Sequence, residues 1–266
     1  MRLHPTALID PHAQLGEEVE VGPYAILGAG VRIGARTRIG PHACLRGPLV
    51  LGEENVVSFA CSLGHDPQVK GKAGPFGGVR IGSRNVFREY AQVQRSMSPG
   101  AETVVGDDNY MMTNSHVAHD CVVGSHVIFC TNVALAGHVL VQDRVNLGGG
   151  SMVGQFRRVG ELAMVGGLTS VDRDVPPFAI VVGERPNHIE GINAIGLRRA
   201  GVGSETRLAL KEAFRTIFRG EGPLASRLDA VTSPAPEVRR LVRFLREATR
   251  PVIGLGGSVE ARSEDE

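Results

Sequence analysis

The chain has no tryptophan, and aromatic residues make up only 5% of its 266 positions. A core built on large rings is therefore excluded, leaving aliphatic and small side chains to fill the interior. Lysine is nearly absent: only Lys70, Lys72 and Lys211 are lysines, so 26 of the 29 basic residues are arginine. Arginine is the better fork for phosphates and carboxylates. Charge of one sign is also lacking. A net charge of +1 provides no global field for nucleic acid or an anionic membrane. No apolar run is long enough to span a bilayer, and Met1–Pro5 opens onto the repeat without a signal segment. The expected compartment is the cytoplasm. Cysteine is scarce, and Cys44, Cys61, Cys121 and Cys130 form no Cys-x-x-Cys pair, which argues against a zinc site.

Glycine is abundant, at 35 residues, and it recurs in phase with something larger. From Ile9, every sixth residue is aliphatic: Leu15, Val21, Leu27, Ile33, Ile39, Leu45, Leu51, Val57, Leu63. The series resumes at Ile81, Phe87 and Val93, and again from Val105 through Met111, Val117 and onward to Val171. Of these 25 positions, 22 are Ile, Leu or Val, and 14 are followed by glycine. Both pauses are whole multiples of six, so the phase never slips. Four residues after each aliphatic, small or β-branched side chains dominate, as at Ala13, Val19, Ala25 and Thr37. This pattern is the hexapeptide repeat of a parallel β-helix. Each hexad forms a short strand and a turn, and three hexads close a triangular coil. Coils stack about 4.8 Å apart, so about eight of them make a prism roughly 40 Å long. The glycine after each aliphatic is expected to free the corner for positive φ. Cys61 and Cys121 fall on the inward phase, as small apolar residues.

Two Gly- and Pro-rich segments, 64–80 and 95–104, break the hexads and are expected to leave the prism as loops. Loops on a rigid scaffold often carry function. The repeat ends at Asp174-Val175-Pro176-Pro177. Helical spacing follows: Ser204 as N-cap with Glu205 ahead of Arg207–Arg219, then Leu224–Val231, then Pro236–Thr249. The expected organisation is a β-helix over 1–186, a helical domain over 187–253 and a disordered tail over 254–266.

The stretch Asn114-Ser115-His116-Val117-Ala118-His119-Asp120-Cys121 carries the densest chemistry. Val117 and Cys121 hold the inward phase, so His119 and Asp120 between them lie outside the core, as do His116 and His138. At 18 residues per coil, Gly137 stacks below His119 and Gln155 below Gly137. A histidine beside an uncovered peptide N–H suits acyl transfer: the base removes a hydroxyl proton and the N–H holds the developing oxyanion. Histidine is the side chain whose unperturbed proton affinity lies nearest neutral pH. Asp120 is placed to fix the tautomer or stabilise the imidazolium. Exposed histidines on a β-helix are often idle, so the weight rests on the cluster. A zinc site remains as an alternative, although His116 and His119, three apart, point to opposite faces of a continuous strand.

The segments Asn-Ser-His-Val-Ala-His-Asp-Cys (114–121), Leu-Ala-Gly-His-Val (135–139), Val-Gly-Gln-Phe (153–156), Asp-Val-Pro-Pro (174–177) and Gly-Ile-Asn…Gly-Leu-Arg-Arg (191–199) resemble the hexapeptide-repeat acyltransferases that open lipid A biosynthesis. The resemblance covers nearly the whole chain and implies a left-handed coil, an exception to right-handed crossovers. It implies transfer of an (R)-3-hydroxyacyl chain from acyl carrier protein to the 3-hydroxyl of UDP-N-acetylglucosamine by a homotrimer with no cofactor. It makes His119 the general base, Asp120 its partner and the Gly137 N–H the oxyanion donor. It assigns His116, His138, Gln155, Gln68 and the lysines at 70 and 72 to substrate or the thioester arm. It assigns Arg198 and Arg199 to phosphates or the acidic carrier, and Gly149 and Gly167 to the measure of acyl length. A glycine at 167 leaves the slot open for a longer chain. The sequence departs from the family at Val69, where an aspartate usually follows Pro67-Gln68, and at Gly154, which is usually histidine. These departures bear on nucleotide-sugar contacts more than on the chemistry. The alternatives are an acetyl-CoA-dependent sugar O- or N-acetyltransferase, a zinc protein like the γ-class carbonic anhydrases, and a non-enzymatic β-helix.

Overall fold

The computed structural model describes residues 1–183 and 186–255. Its main body is a left-handed parallel β-helix of three flat faces. Successive two- to four-residue strands step from the first face to the second to the third and back. In the described residues the faces carry eleven, nine and eight strands. Partners along each face are 18 residues apart, as at Arg2↔Glu20 and His116↔Ala134. The offset rises to 30 at Ser62↔Gln92 and to 24 at Gln92↔His116, so the two interruptions add twelve and six residues without shifting the phase.

The hexad aliphatics fill the axis. On the second face Leu27, Leu45, Leu63, Val93, Val117, Leu135 and Val153 stack in one column, none more than 1% exposed. Each such side chain contributes about 1.5–3 kcal/mol by leaving water. Cys61 and Cys121 are buried among them as free thiols, and burial pushes both up to about 12.

The fourth-after position carries a feature beyond small residues. Asn55, Asn85 and Asn109 are buried and form a ladder. Asn85 Nδ2 donates to Asn55 Oδ1 at 3.0 Å, and the Asn109 and Val127 amides donate to Asn85 Oδ1 and Asn109 Oδ1 at 2.9 and 2.7 Å. Side-chain amides thus satisfy inward-facing peptide groups that the short strands leave over.

The role expected of the hexad glycines is corrected. Gly64 does take positive φ, at 79°, but elsewhere positive φ falls two residues further on, mostly on side-chain-bearing residues, including Glu18, His42, Asp120, His138 and Phe156. The hexad glycines answer to space instead: a Cβ on Gly34 would lie 2.5 Å from the Gly52 carbonyl carbon. Coils stacked at strand spacing leave no room there for a side chain.

The excursions are shorter than 64–80 and 95–104. The strands Ser62–His65, Gly78–Ile81 and Glu102–Val105 claim their ends, leaving 66–77 and 95–101 outside the ladder. The last strand, His188–Ile192, falls within the span expected to be helical, but it pairs antiparallel with Ala179–Val182 and extends the first face. Helices α1 (Ala194–Arg199), α2 (Ser204–Arg219), α3 (Leu224–Asp229) and α4 (Pro236–Arg246) follow. The α2 N-cap lies one residue earlier than expected, at Gly203 rather than Ser204, with Glu205 in the first turn, where a negative charge is favoured. α3 and α4 stop short of Val231 and Thr249.

Polar anchors dock this unit on the prism. Asn193 caps α1 through Gly196 N and donates to Leu162 O at 2.8 Å. Arg158 reaches the buried Asp174 at 2.7 Å and lies 4.1 Å over the Phe244 ring, while Arg240 pairs with Glu161. The segment Pro251–Ile253 then adds a rung beneath the prism through both backbone groups of Asp174, at 2.8 and 2.9 Å. The expected disordered tail lies outside the described residues except for Gly254 and Leu255, and Leu255 packs on the core.

Candidate active site

One edge of the prism gathers most of the candidate residues. Both excursions leave from the second face and return on the third. The turn between His116–Val117 and Val122–Val123 sits at the same edge one coil later and carries His119 and Asp120. The next coil places Gly137 and His138 there, and the one after it Gln155 and Phe156.

His119 lies outside the aliphatic axis yet is only 6% exposed, with its ring packed against Gly137 of the next coil. Its Nδ1 is 2.8 Å from Asp120 Oδ2. Asp120 also accepts from the Ser96 hydroxyl and, at 3.2 Å, from the Met97 amide, while its own amide donates to Thr103 Oγ1 at 2.8 Å. Burial would raise the Asp120 carboxyl, but the hydrogen bonds from Ser96, His119 and Met97 outweigh it and hold the group below its ordinary value. Asp120 is therefore a carboxylate and can only accept. His119 Nδ1 therefore donates in this contact, and in the neutral ring Nε2 is the acceptor.

The His119 ring lies against Gly137. A Cβ on Gly137 would fall 2.4 Å from His119 Cε1 and 2.7 Å from Nε2, so only glycine leaves room for the ring. No described residue accepts a hydrogen bond from the Gly137 N–H. At the same hexad position on another edge, the Ser83 and Ser125 amides donate to the carboxylates of Asp107 and Asp143. The fold thus offers this N–H to a negative oxygen from outside the ladder.

His138 meets His119 edge-on, with ring centres 5.2 Å apart, and its Nε2 is 3.6 Å from Asp120 Oδ2. The donor atoms of His119, Asp120 and His138 lie within 4.8 Å of one another. This set excludes His116, the histidine on which the zinc alternative relied. His116 instead faces outward from the second face, with Nδ1 3.3 Å from Gln92 Oε1, and burial lowers its proton affinity. Above it, Arg46, Ser62, His65, Gln68, Gln92 and Gln94 line a cavity of about 260 Å³. A larger cleft of about 560 Å³ between α4 and the third face contains none of the candidate residues.

Comparison with known proteins bears on the whole chain. Residues 12–47 match the bacterial transferase hexapeptide (six repeats) family, and 174–253 match domain 2 of UDP-N-acetylglucosamine O-acyltransferase. An acyl-[acyl-carrier-protein]–UDP-N-acetylglucosamine O-acyltransferase of Stenotrophomonas maltophilia is 40% identical over 95% of this chain and 97% of its own. The chain belongs to that O-acyltransferase family. A second member, from Halorhodospira halophila, is 41% identical over 95% of this chain and 99% of its own. Among solved structures, LpxA of Acinetobacter baumannii superposes with a TM-score of 0.90 at 35% identity, covering 94% of this chain and 99% of that one.

Other candidates are spread more widely on this O-acyltransferase. Gln155 is exposed at the His119 edge, below Gly137. Lys70 and Lys72 are exposed on the first excursion, where the Gln68 amide donates to Gln94 Oε1 at 3.3 Å. Gly149 and Gly167 stack at a different edge, between the first and second faces, and a Cβ on Gly167 would approach Gly149 O at 3.3 Å. Arg198 and Arg199 are exposed in the last turn of α1. Within one chain these four residues are not gathered around His119. Sequence reading missed Ser96, Met97 and Thr103, which hold Asp120. The available signal was the second interruption itself, which falls one coil before His119.

Proposed function

We propose that this chain transfers an (R)-3-hydroxyacyl group from acyl carrier protein to the 3-hydroxyl of UDP-N-acetylglucosamine, the first step of lipid A biosynthesis, as a cytoplasmic homotrimer. The observation that carries the chemistry is the His119 ring packed against Gly137, whose N–H has no acceptor among the described residues, with Nδ1 held by the ionised Asp120. Nε2 takes the proton of the 3-hydroxyl as its oxygen attacks the thioester carbonyl. The Gly137 N–H meets the resulting oxyanion. Collapse of the intermediate breaks the C–S bond, and the imidazolium returns the proton to the departing thiolate of the carrier's arm. Asp120 orients the ring and stabilises its charged form without taking the proton.

His116, His138 and Gln155 contact the sugar or the thioester arm on this reading, with Gln68 and either Lys70 or Lys72 above them. A second face that runs outward from Ser62, Gln92 and His116 to Ala134 and Met152 supports it: a polar head region gives way to an apolar wall. Gly149 and Gly167, at another edge, reach a shared site only across a subunit boundary, as do Arg198 and Arg199, and this favours a trimer with sites between chains. Mass spectrometry of products formed from mixed donors, hydroxyacyl carrier protein thioesters and acetyl-CoA, with UDP-N-acetylglucosamine and its 3-amino analogue, tests the assignment. A 3-O-hydroxyacyl sugar nucleotide is expected; product from acetyl-CoA alone would overturn the donor.

A further inference from the structure

Asp120, His138 and Phe156 occupy the same hexad position on successive coils, each at positive φ, 60°, 60° and 61°. Backbone rungs tie them together: the His138 amide donates to His119 O at 3.0 Å, and the Phe156 amide to Gly137 O at 3.1 Å. Their side chains form a column. His138 lies near Asp120 at one end and stacks on Phe156 at the other, with centroids 4.6 Å apart and planes 12° apart. Residue 174 would come next, but Asp174 has turned inward to hold Arg158 and is 1% exposed. The rung Pro251–Ile253 docks on Asp174 and brings Arg250 beneath the column, its guanidinium carbon 4.9 Å from the Phe156 ring centre.

We propose that Phe156 and Arg250 are positioning residues for the acyl transfer proposed above, acting through His138. An exposed imidazole on a turn has a broad choice about its second torsion. Stacking on Phe156 selects the orientation that sets the ring perpendicular to His119, and the cation beside Phe156 holds that ring flat. The far end of the chain thereby finishes the active edge, because Arg250 reaches the column only when Pro251–Ile253 has docked. Offset stacking and a cation–π contact are worth little in stability but fix angles, so the effect belongs in turnover rather than in folding.

This proposal rests on the reading that the His119 edge performs the transfer, and a double-mutant cycle separates the two. Phe156→Leu and Arg250→Met are each made in the wild type and in His138→Ala, and Arg250→Lys in the wild type, with kcat, KM and thermal midpoint measured for all seven proteins. Phe156→Leu is expected to lower kcat roughly tenfold with an unchanged midpoint. Arg250→Met is expected to lower it less, and Arg250→Lys to restore part of the loss. In the His138→Ala background neither substitution should lower kcat further. Losses that persist in full without His138, or that track a fall in the midpoint, would overturn the proposal. So would wild-type turnover in His138→Ala, which leaves nothing to position. Loss of acyl transfer specificity itself is read in the donor assay and does not depend on this cycle.

Discussion

At the scale of single residues, the account turns on which groups touch His119. Gly137 serves twice there, offering an N–H and leaving space for the ring. Gly137→Ala puts a carbon within 2.4 Å of the imidazole, so the ring must move off its position over the peptide. Turnover should fall about 100-fold, since misplacements near 1 Å cost that much; a variant within twofold of wild type would show the fit to be irrelevant. His116 has a different signature. Burial lowers its proton affinity below the ordinary imidazole value of 6.5. The unfolded chain therefore takes this proton first, and stability falls as pH drops from about 6.5 through the lower folded value. An NMR titration should place the His116 midpoint below 6.5. Asp120 works in the same direction at lower pH. Its lowered carboxyl is ionised throughout that range, and its stabilising contribution is lost only as pH falls below the ordinary 3.8 toward the folded value.

At the scale of elements, the hexad phase made the strands and the outward placement of the histidines legible, because a period of six leaves little freedom once three strands close a coil. His119 over Gly137 followed from counting eighteen. Covering was not legible: His119 is only 6% exposed, and its partner Asp120 is held by the second excursion, whose internal geometry obeys no repeat. The role of the glycines was misread for a related reason. Periodicity shows that a position is special but does not separate a torsional need from a steric one. α1 escaped notice because six residues are too few for a helical period. Arg250 was invisible at the active edge, since its contact with Phe156 depends on a rung made by the last described residues. The asparagine ladder makes its own test. Asn85→Leu leaves the Asn109 amide without its acceptor in the interior and removes one of the two donors to Asn55 Oδ1. Urea unfolding should show a loss of about 1–3 kcal/mol, while an unchanged midpoint would mean the ladder is ornamental.

At the scale of the whole molecule, one continuous aliphatic axis carries everything else. Val141 is fully buried in it, one coil from His119 on the neighbouring face. Val141→Asp places an unpaired charge there, and the expected result is insoluble or unfolded protein by circular dichroism; a folded, active variant would show that the coils tolerate a break. The prism is a rigid rule that sets His119 and Gly137, the proposed base and oxyanion donor, one strand spacing apart, and the sixfold register is what keeps them opposed. The most direct measurement is kcat for His119→Ala with a hydroxyacyl carrier protein donor, taken beside its thermal midpoint. A fall of roughly 10²–10⁴-fold with the midpoint of the wild type is expected for a lost general base. Turnover near that of the wild type would contradict it.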